Sequence, residues 1–170
     1  MKTIVLITTG GTIEKSYCER TGRVTNLQPK IESYMDKICL PHTRIEVVPL
    51  FSKDSRELTA DDRKVLLTAI VSRLGSRLPF VITHGTDTIL ETAKYLSASL
   101  SALSAPIILT GAMRPLGFEN SDGIQNLVES FFAAKILPAG VHLVMHGEVF
   151  DIYRSQKDLT LGTFVETVLD

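Results

Sequence analysis

Short apolar runs alternate along this chain with stretches of helical period, and that alternation limits the folds open to it. The runs cover residues 2–8, 44–50, 78–83, 106–111 and 140–145. They are short, largely apolar and often β-branched, as strands buried on both faces are. Between them, residues 59–74 carry an apolar face of Val65, Leu66, Ala69, Ile70 and Leu74. Asp61 and Asp62 fall in the first turn of that helix, and Gly75 marks its stop. A second helix is predicted over 88–100, where Thr88 and Glu91 have capping-box spacing. A third covers about 121–134, and a short one 31–37. Strand–helix alternation with short connections implies a three-layer α/β/α fold. Its sheet is mainly parallel and doubly wound, flavodoxin- or Rossmann-like, with right-handed crossovers.

The chain has 170 residues, read as one domain over 1–170 with one core. Apolar residues make up 44% and charged residues 22%, a globular rather than a disordered composition. The net charge is −1, with Lys and Arg spread out. That speaks against a nucleic-acid surface or a basic membrane face. No apolar stretch approaches the roughly 20 residues that span a bilayer. Met1-Lys2 leads directly into the first strand, without the pattern of a cleavable signal. Cys18 and Cys39 read as free thiols, which favours a reducing, cytoplasmic setting. Residues 14–28 are polar and contain Gly22, the pattern of a long loop that can act as a lid. Residues 150–170 are polar in their first half and read as a hairpin or loop closing one sheet edge.

Polar residues cluster just past the predicted strands. Thr8-Thr-Gly-Gly-Thr12 follows the first. Its glycines permit a tight turn, which taken alone reads first as a helix cap or a phosphate cradle and second as a catalytic loop. Neither G-x-G-x-x-G nor a glycine loop ending in Gly-Lys-Ser/Thr is present. Thr83-His84-Gly-Thr86-Asp87-Thr88 follows the third strand and opens a helix, where free N–H groups favour an anion or oxyanion. Capping explains one of these residues, but not the whole run. Ser52-Lys53-Asp54-Ser55 and Thr110-Gly-Ala112-Met-Arg-Pro115 follow two further strands. Four strands thus bring small hydroxyls, glycines or carboxylates to one edge, where open α/β sheets bind ligands. Tyr17 reads as a surface residue or as one delivered by loop closure. Lys157 reads as a solvated lysine or, beside a carboxylate, as a hydroxyl activator. His142 and His146 are four apart on a predicted strand rather than a helix, so packing or edge exposure outweighs metal binding. No Gly-x-Ser-x-Gly elbow occurs.

Thr9-Gly-Gly-Thr-Ile13 and His84-Gly-Thr-Asp-Thr88 resemble the two signature segments of bacterial-type L-asparaginases, and Gly111-Ala-Met-Arg-Pro115 extends the match. The chain resembles the short form that lacks a C-terminal domain. The resemblance implies an asparagine amidohydrolase with Thr12 as nucleophile and Tyr17, on the lid loop, polarising or deprotonating it. Thr86, Lys157 and Asp87 would form a second hydroxyl–ammonium–carboxylate set. Ser52 and Asp87 would hold the α-carboxylate and α-amino groups of the substrate. N–H groups near Gly11, Thr12 and Thr86 would stabilise the oxyanion, and the Ala112 carbonyl would steer the leaving amide. Lys53 stands where many relatives carry glutamine, and its charge would favour the α-carboxylate. No cofactor or metal is implied, and a homodimer or homotetramer is.

Chemistry agrees with those roles, because amide hydrolysis needs a nucleophile, a proton acceptor and oxyanion donors. No histidine fits the acceptor role, so tyrosine and lysine must serve. Many two-domain relatives complete the site with a neighbouring chain's carboxylate near the substrate amine. Its absence predicts weak substrate binding, and poor action on glutamine is expected. Two other readings stay open: an amino-acid-amide sensor without turnover, and an amidase subunit attached to amidotransfer.

Overall fold

The computed structural model of the chain describes residues 1–26 and 31–167. In chain order the elements are β1 (Lys2–Gly10), a hairpin of β2 (Ser16–Cys18) and β3 (Arg23–Thr25), α1 (Ile31–Met35), β4 (Thr43–Lys53), α2 (Ala60–Val71) and β5 (Phe80–Thr83). There follow α3 (Ile89–Ser99), β6 (Pro106–Thr110), α4 (Gly123–Ile136), β7 (Gly140–Met145), β8 (Glu148–Phe150), and a second hairpin of β9 (Ser155–Asp158) and β10 (Thr163–Glu166). The main sheet has the order β4-β1-β5-β6-β7-β8. All its neighbours pair in parallel except β8, which turns back antiparallel on β7. This is the mixed, mainly parallel α/β sheet that the alternation predicts.

The strand period of two sorts the core into two layers. Val5, Ile7, Ile82 and Leu109 face one side, where Leu66 and Ile70 of α2 and Ala93 and Leu96 of α3 cover them. Ile4, Leu6, Val81 and Ile108 face the other side, under Ile31 of α1 and Leu127 and Phe131 of α4. Chain direction along the sheet reverses at β1, which has β4 on one side and β5 on the other. The chain runs from β1 toward α1 on one face and from β4 and β5 toward α2 and α3 on the other, which opens a crevice at this edge.

Several expected boundaries move. β1 runs on to Gly10 and β4 to Lys53, because the two stay paired past an irregularity between Thr8 and Gly10. α2 ends at Val71, and Gly75 falls in a separate short turn over Leu74–Ser76. Val65 is 47% exposed, since α2 covers the sheet with Leu66 and Ile70 instead. The capping box lies not at Thr88 but at Thr59, whose hydroxyl accepts from the Asp62 amide while Asp62 accepts from the Thr59 amide. Thr88 donates its hydroxyl to the Ser55 carbonyl at 2.8 Å, and Glu91 receives Arg63 at 2.7 Å. Partners on neighbouring elements displace the local cap there. Within 14–28, a 3₁₀ turn over Thr12–Glu14 and the β2–β3 hairpin replace the expected loop, while residues 27 and 28 lie outside the described residues. Residues 150–167 contain the β9–β10 hairpin, as one of the two expected forms had it. Residues 168–170 lie outside the described ones.

The tightest point of the fold lies between two loops. Gly11 sits at φ 77°, a region that side chains with a Cβ avoid. A Cβ there would also collide with the backbone of Gly85. The loop after β1 and the loop after β5 thus touch main chain to main chain at Gly11 and Gly85, each one residue before a threonine of the candidate site. Gly11→Ala is expected to lower stability by about 3 kcal/mol or more, from strain and overpacking together. Denaturant unfolding measures it, and a loss below about 1 kcal/mol would show that the loops can part freely.

Candidate active site

The carboxyl ends of β1, β4, β5 and β6 converge, as the registration of their polar ends predicts. Thr86, on the loop from β5 into α3, is 4% exposed. Lys157 on β9 reaches back across the edge. Its ammonium donates to Thr86 Oγ1 at 2.7 Å and to Asp87 Oδ1 at 2.5 Å. These three residues, more than seventy positions apart at their extremes, form one hydroxyl–ammonium–carboxylate set. Lys157 is brought there because β9 pairs with β10, whose Phe164, opposite Lys157, is buried against Phe150. Thr12 opens the short turn beyond Gly11, half-buried, with its carbonyl accepting from the Lys15 amide. Ala112, on the loop after β6, is fully buried.

On the β4 side, the Ser52 hydroxyl is buried without a protein partner. A cavity of about 360 Å³ lies beside it, lined by Lys15, Asn26, Asp54 and Arg56 among others. Asp54 binds Lys15 at 2.7 Å and Arg56 at 3.2 Å, and Arg56 also reaches Asp87 at 3.3 Å. Partial burial alone would raise the Asp54 carboxyl. Hydrogen bonds from Arg56 and Lys15 outweigh it and hold the group well below the usual carboxylate range. Charges of alternating sign therefore run from Lys157 through Asp87, Arg56 and Asp54 to Lys15. Asn26 donates to the Gly11 carbonyl at 2.8 Å, so the segment after β3 is tied to the loop that carries Thr12.

Three expectations need correction. Lys53 does not direct its charge at Ser52. Its ammonium is held by Asp62 at 2.8 Å, where the α2 capping box presents a carboxylate. Lys15 and Arg56 supply the positive charge near Ser52 instead. Tyr17 is 59% exposed on β2, and its phenol makes no hydrogen bond to Thr12. The Gly11 amide already donates to the Lys53 carbonyl at 2.8 Å, so it is not free for an oxyanion. Asp54 belongs to one of the four polar strand ends, whereas Lys15 and Arg56 escaped the sequence reading because surface-type charges carry no local signal of convergence. His142 and His146 lie apart from any metal cage: His142 meets the Pro138 carbonyl, and His146 meets Asp122 and Thr163. Among the described residues no three His, Cys, Asp or Glu side chains gather as a metal would require. Nor is any helix among them long and apolar enough to cross a membrane.

Two buried ionisable groups support these loops. His84 is fully buried. Its Nδ1 meets the Gly85 carbonyl at 2.8 Å and its Nε2 meets Thr92 Oγ1 at 2.9 Å. A carbonyl only accepts, so Nδ1 carries the hydrogen and Nε2 accepts from Thr92. Burial lowers the imidazole from 6.5 to about 4, the Gly85 carbonyl opposes this, and Arg63 adds to it. A neutral ring thus fixes the turn before Thr86. Glu14, two residues past Thr12, is 2% exposed, and neither carboxylate oxygen has a hydrogen-bond partner. Burial raises it from 4.5 to about 7, with the Gly10 backbone pulling the other way.

A mainly parallel α/β sheet with a threonine–lysine–carboxylate set at its carboxyl edge defines the class of this domain. Comparison with known proteins gives the family: the model "Asparaginase, N-terminal" matches residues 3–163, and the chain belongs to that family. It is 35% identical over 161 residues to a glutamyl-tRNA(Gln) amidotransferase subunit from Aeropyrum pernix, covering 88% of this chain and 36% of the relative. It is 32% identical over 142 residues to L-asparaginase 1 of Escherichia coli K12, covering 81% of this chain and 41% of that protein. The thermostable L-asparaginase of Thermococcus kodakarensis superposes with a TM-score of 0.86 at 26% identity, over 96% of this chain and 51% of that one. The chain thus spans between about a third and a half of the length of these relatives.

The opposed shifts of His84 and Glu14 make a test of stability against pH. His84 is held below its ordinary value, so its contribution is present above 6.5 and lost as pH falls to about 4. Glu14 is held above its ordinary value, so its burial costs stability above about 7, and the cost disappears as pH falls to 4.5. Each is worth about 3 kcal/mol, and over this window they cancel. Glu14→Gln is expected to raise stability at pH 7.5 and to lose about 3 kcal/mol between pH 6.5 and 4. A denaturation series that runs parallel to the parent protein's would disprove the opposition.

Proposed function

We propose that this chain hydrolyses the side-chain amide of L-asparagine to L-aspartate and ammonia through an acyl-threonine intermediate. The observation that carries this reading is the ammonium of Lys157 shared between Thr86 and Asp87, beside the loop that holds Thr12. Thr12 Oγ attacks the amide carbon, its proton passes to the nitrogen, and the C–N bond breaks to release ammonia. Water then attacks the ester, and its proton returns to Thr12 Oγ as aspartate leaves. Lys157 donates into Thr86 Oγ1, so the hydroxyl hydrogen of Thr86 is left to act as a donor in the crevice. Asp87 balances the ammonium. The Thr12 and Thr86 amides serve as oxyanion donors, since Gly11's is engaged. The unpartnered Ser52 hydroxyl, with Lys15 and Arg56 nearby, receives the α-carboxylate, and the Ala112 carbonyl takes the leaving amide. Tyr17 takes part only when the β2–β3 hairpin closes further. The domain acts as a homo-oligomer in this reading, and two free thiols suit a reducing compartment.

The 35% identity to a component of an amidotransferase favours a second reading, an amidase that works with a partner protein. Release of ammonia from asparagine by the purified chain alone separates the two. Turnover on glutamine is expected to be at least about tenfold lower, and equal efficiency on both amides would count against the asparagine reading. Thr12→Ala is expected to abolish turnover, by about a thousandfold or more, while asparagine still binds by calorimetry. Near-normal turnover in that variant reassigns the nucleophile to Thr86.

A further inference from the structure

His146 lies outside the residues given a role above, yet it joins two parts of the site. It occupies the first position of the two-residue turn between β7 and β8, with Met145 opposite Glu148. Its φ is 54°, and that of the following Gly147 is 80°. A two-residue hairpin turn with both central angles positive normally selects Asn, Asp or Gly first; histidine is one of the few other side chains that enter this region readily, and here it also makes tertiary contacts. Nε2 lies 2.8 Å from Asp122 Oδ2, and Nδ1 lies 2.8 Å from Thr163 Oγ1. The backbone amide donates to Asn126 Oδ1 at 3.0 Å.

Each partner leads to the crevice. Asp122 accepts the amides of Met113 and Arg114, at 2.9 Å each for the shorter contacts, and so holds the loop of Ala112. Asn126 donates to the Gly111 carbonyl in the same loop and to Asp122. Burial pushes the Asp122 carboxyl up, but the Met113 amide, His146 and the Arg114 amide overcome this and keep it ionised. An ionised carboxylate only accepts, so Nε2 of His146 carries a hydrogen. Thr163 begins β10 and pairs with Asp158, the neighbour of Lys157. A single imidazole therefore spans from the loop of Ala112 to the hairpin of Lys157. Thr163 can donate to the neutral ring or accept from the protonated one, so the bridge survives in both charge states.

We infer that His146 and Thr163 are positioning residues for Lys157, fixing the β9–β10 hairpin against the loop after β6 so that the ammonium meets Thr86 and Asp87. The inference rests on the amidohydrolase reading for its kinetic arm and on geometry alone for its second arm. Thr163→Val removes the hydroxyl without changing shape. It is expected to lower kcat for asparagine about five-fold, the worth of one neutral hydrogen bond, with KM within about twofold. Thr163→Ser restores kcat. His146→Asn, which tolerates the turn but cannot span both partners, gives a similar loss, and the double variant is no worse than either single one. Amide hydrogen exchange across residues 155–166 rises about five-fold in Thr163→Val. An unchanged kcat, a Ser variant that fails to rescue, additive losses or unaltered exchange would each overturn the inference. If the parent protein releases no ammonia, the amidohydrolase reading fails, and the exchange arm decides the bridge by itself.

Discussion

Contact between the backbones of Gly11 and Gly85 is the constraint on which the site depends. Two strands adjacent in a sheet lie roughly 4.8 Å apart, and loops that leave their carboxyl ends usually diverge. Here they meet, because neither loop has a side chain at the meeting point. Thr12 and Thr86 follow the two glycines, so the main-chain positions of both residues are set by this contact. The Asn26 contact to the Gly11 carbonyl and the Gly11 amide's bond to Lys53 hold the same point from the other side. Gly11 is thus required by its approach to Gly85, and Gly85 by its approach to Ser55, so each glycine is a packing requirement before it is a turn signal.

Charge along the crevice is arranged in alternating pairs. The exposed pairs that join Lys157, Asp87, Arg56, Asp54 and Lys15 are each worth little in isolation, since solvent screens them. As a chain they fix one geometry, because every carboxylate is shared between two cations. The deeper groups behave differently. His84 stays neutral and uses both ring nitrogens, whereas Glu14 is buried with its oxygens unpaired. The first satisfies the rule that buried polar groups find partners, and the second breaks it. A residue that breaks such a rule two positions from a proposed nucleophile sits where functional strain is expected.

Much of this was legible in the sequence, and the limits have physical causes. Continuous apolar runs and period-3.6 apolarity located the strands of the parallel sheet and α1 to α4, because burial on both faces leaves little freedom in strand composition. The convergence of four polar strand ends followed from parallel topology alone. Lys157 was harder: its place depends on the β9–β10 pairing and on Phe164, neither of which leaves a mark near Thr86 in the chain. Lys53 misled, since a positive side chain after Ser52 has two directions available, and Asp62 decides between them. Capping failed at Thr88 for a similar reason. A local motif predicts only local partners, and Ser55 and Arg63 arrive from elsewhere. His146 carried a signal in Met-His-Gly-Glu, a hairpin turn with an uncommon first residue, that becomes readable only once its neighbours are known.

The two halves of the site therefore differ in how precisely they are held. The main chain at Thr12 and Thr86 is placed by backbone packing of the two preceding glycines. Lys157 is placed by a four-residue strand in a two-stranded hairpin, and such a hairpin has little stability by itself. Its ion pair with Asp87 is partly solvated and cannot supply the missing rigidity. Phe164 anchors the hairpin through one buried ring packed at 5.8 Å from that of Phe150, which fixes its depth but leaves rotation about that anchor open. A second attachment, in a different direction from the anchor ring, is needed to stop that rotation. The contact of Thr163 with His146, one residue from Phe164 and tied through Asp122 to the main domain, supplies it.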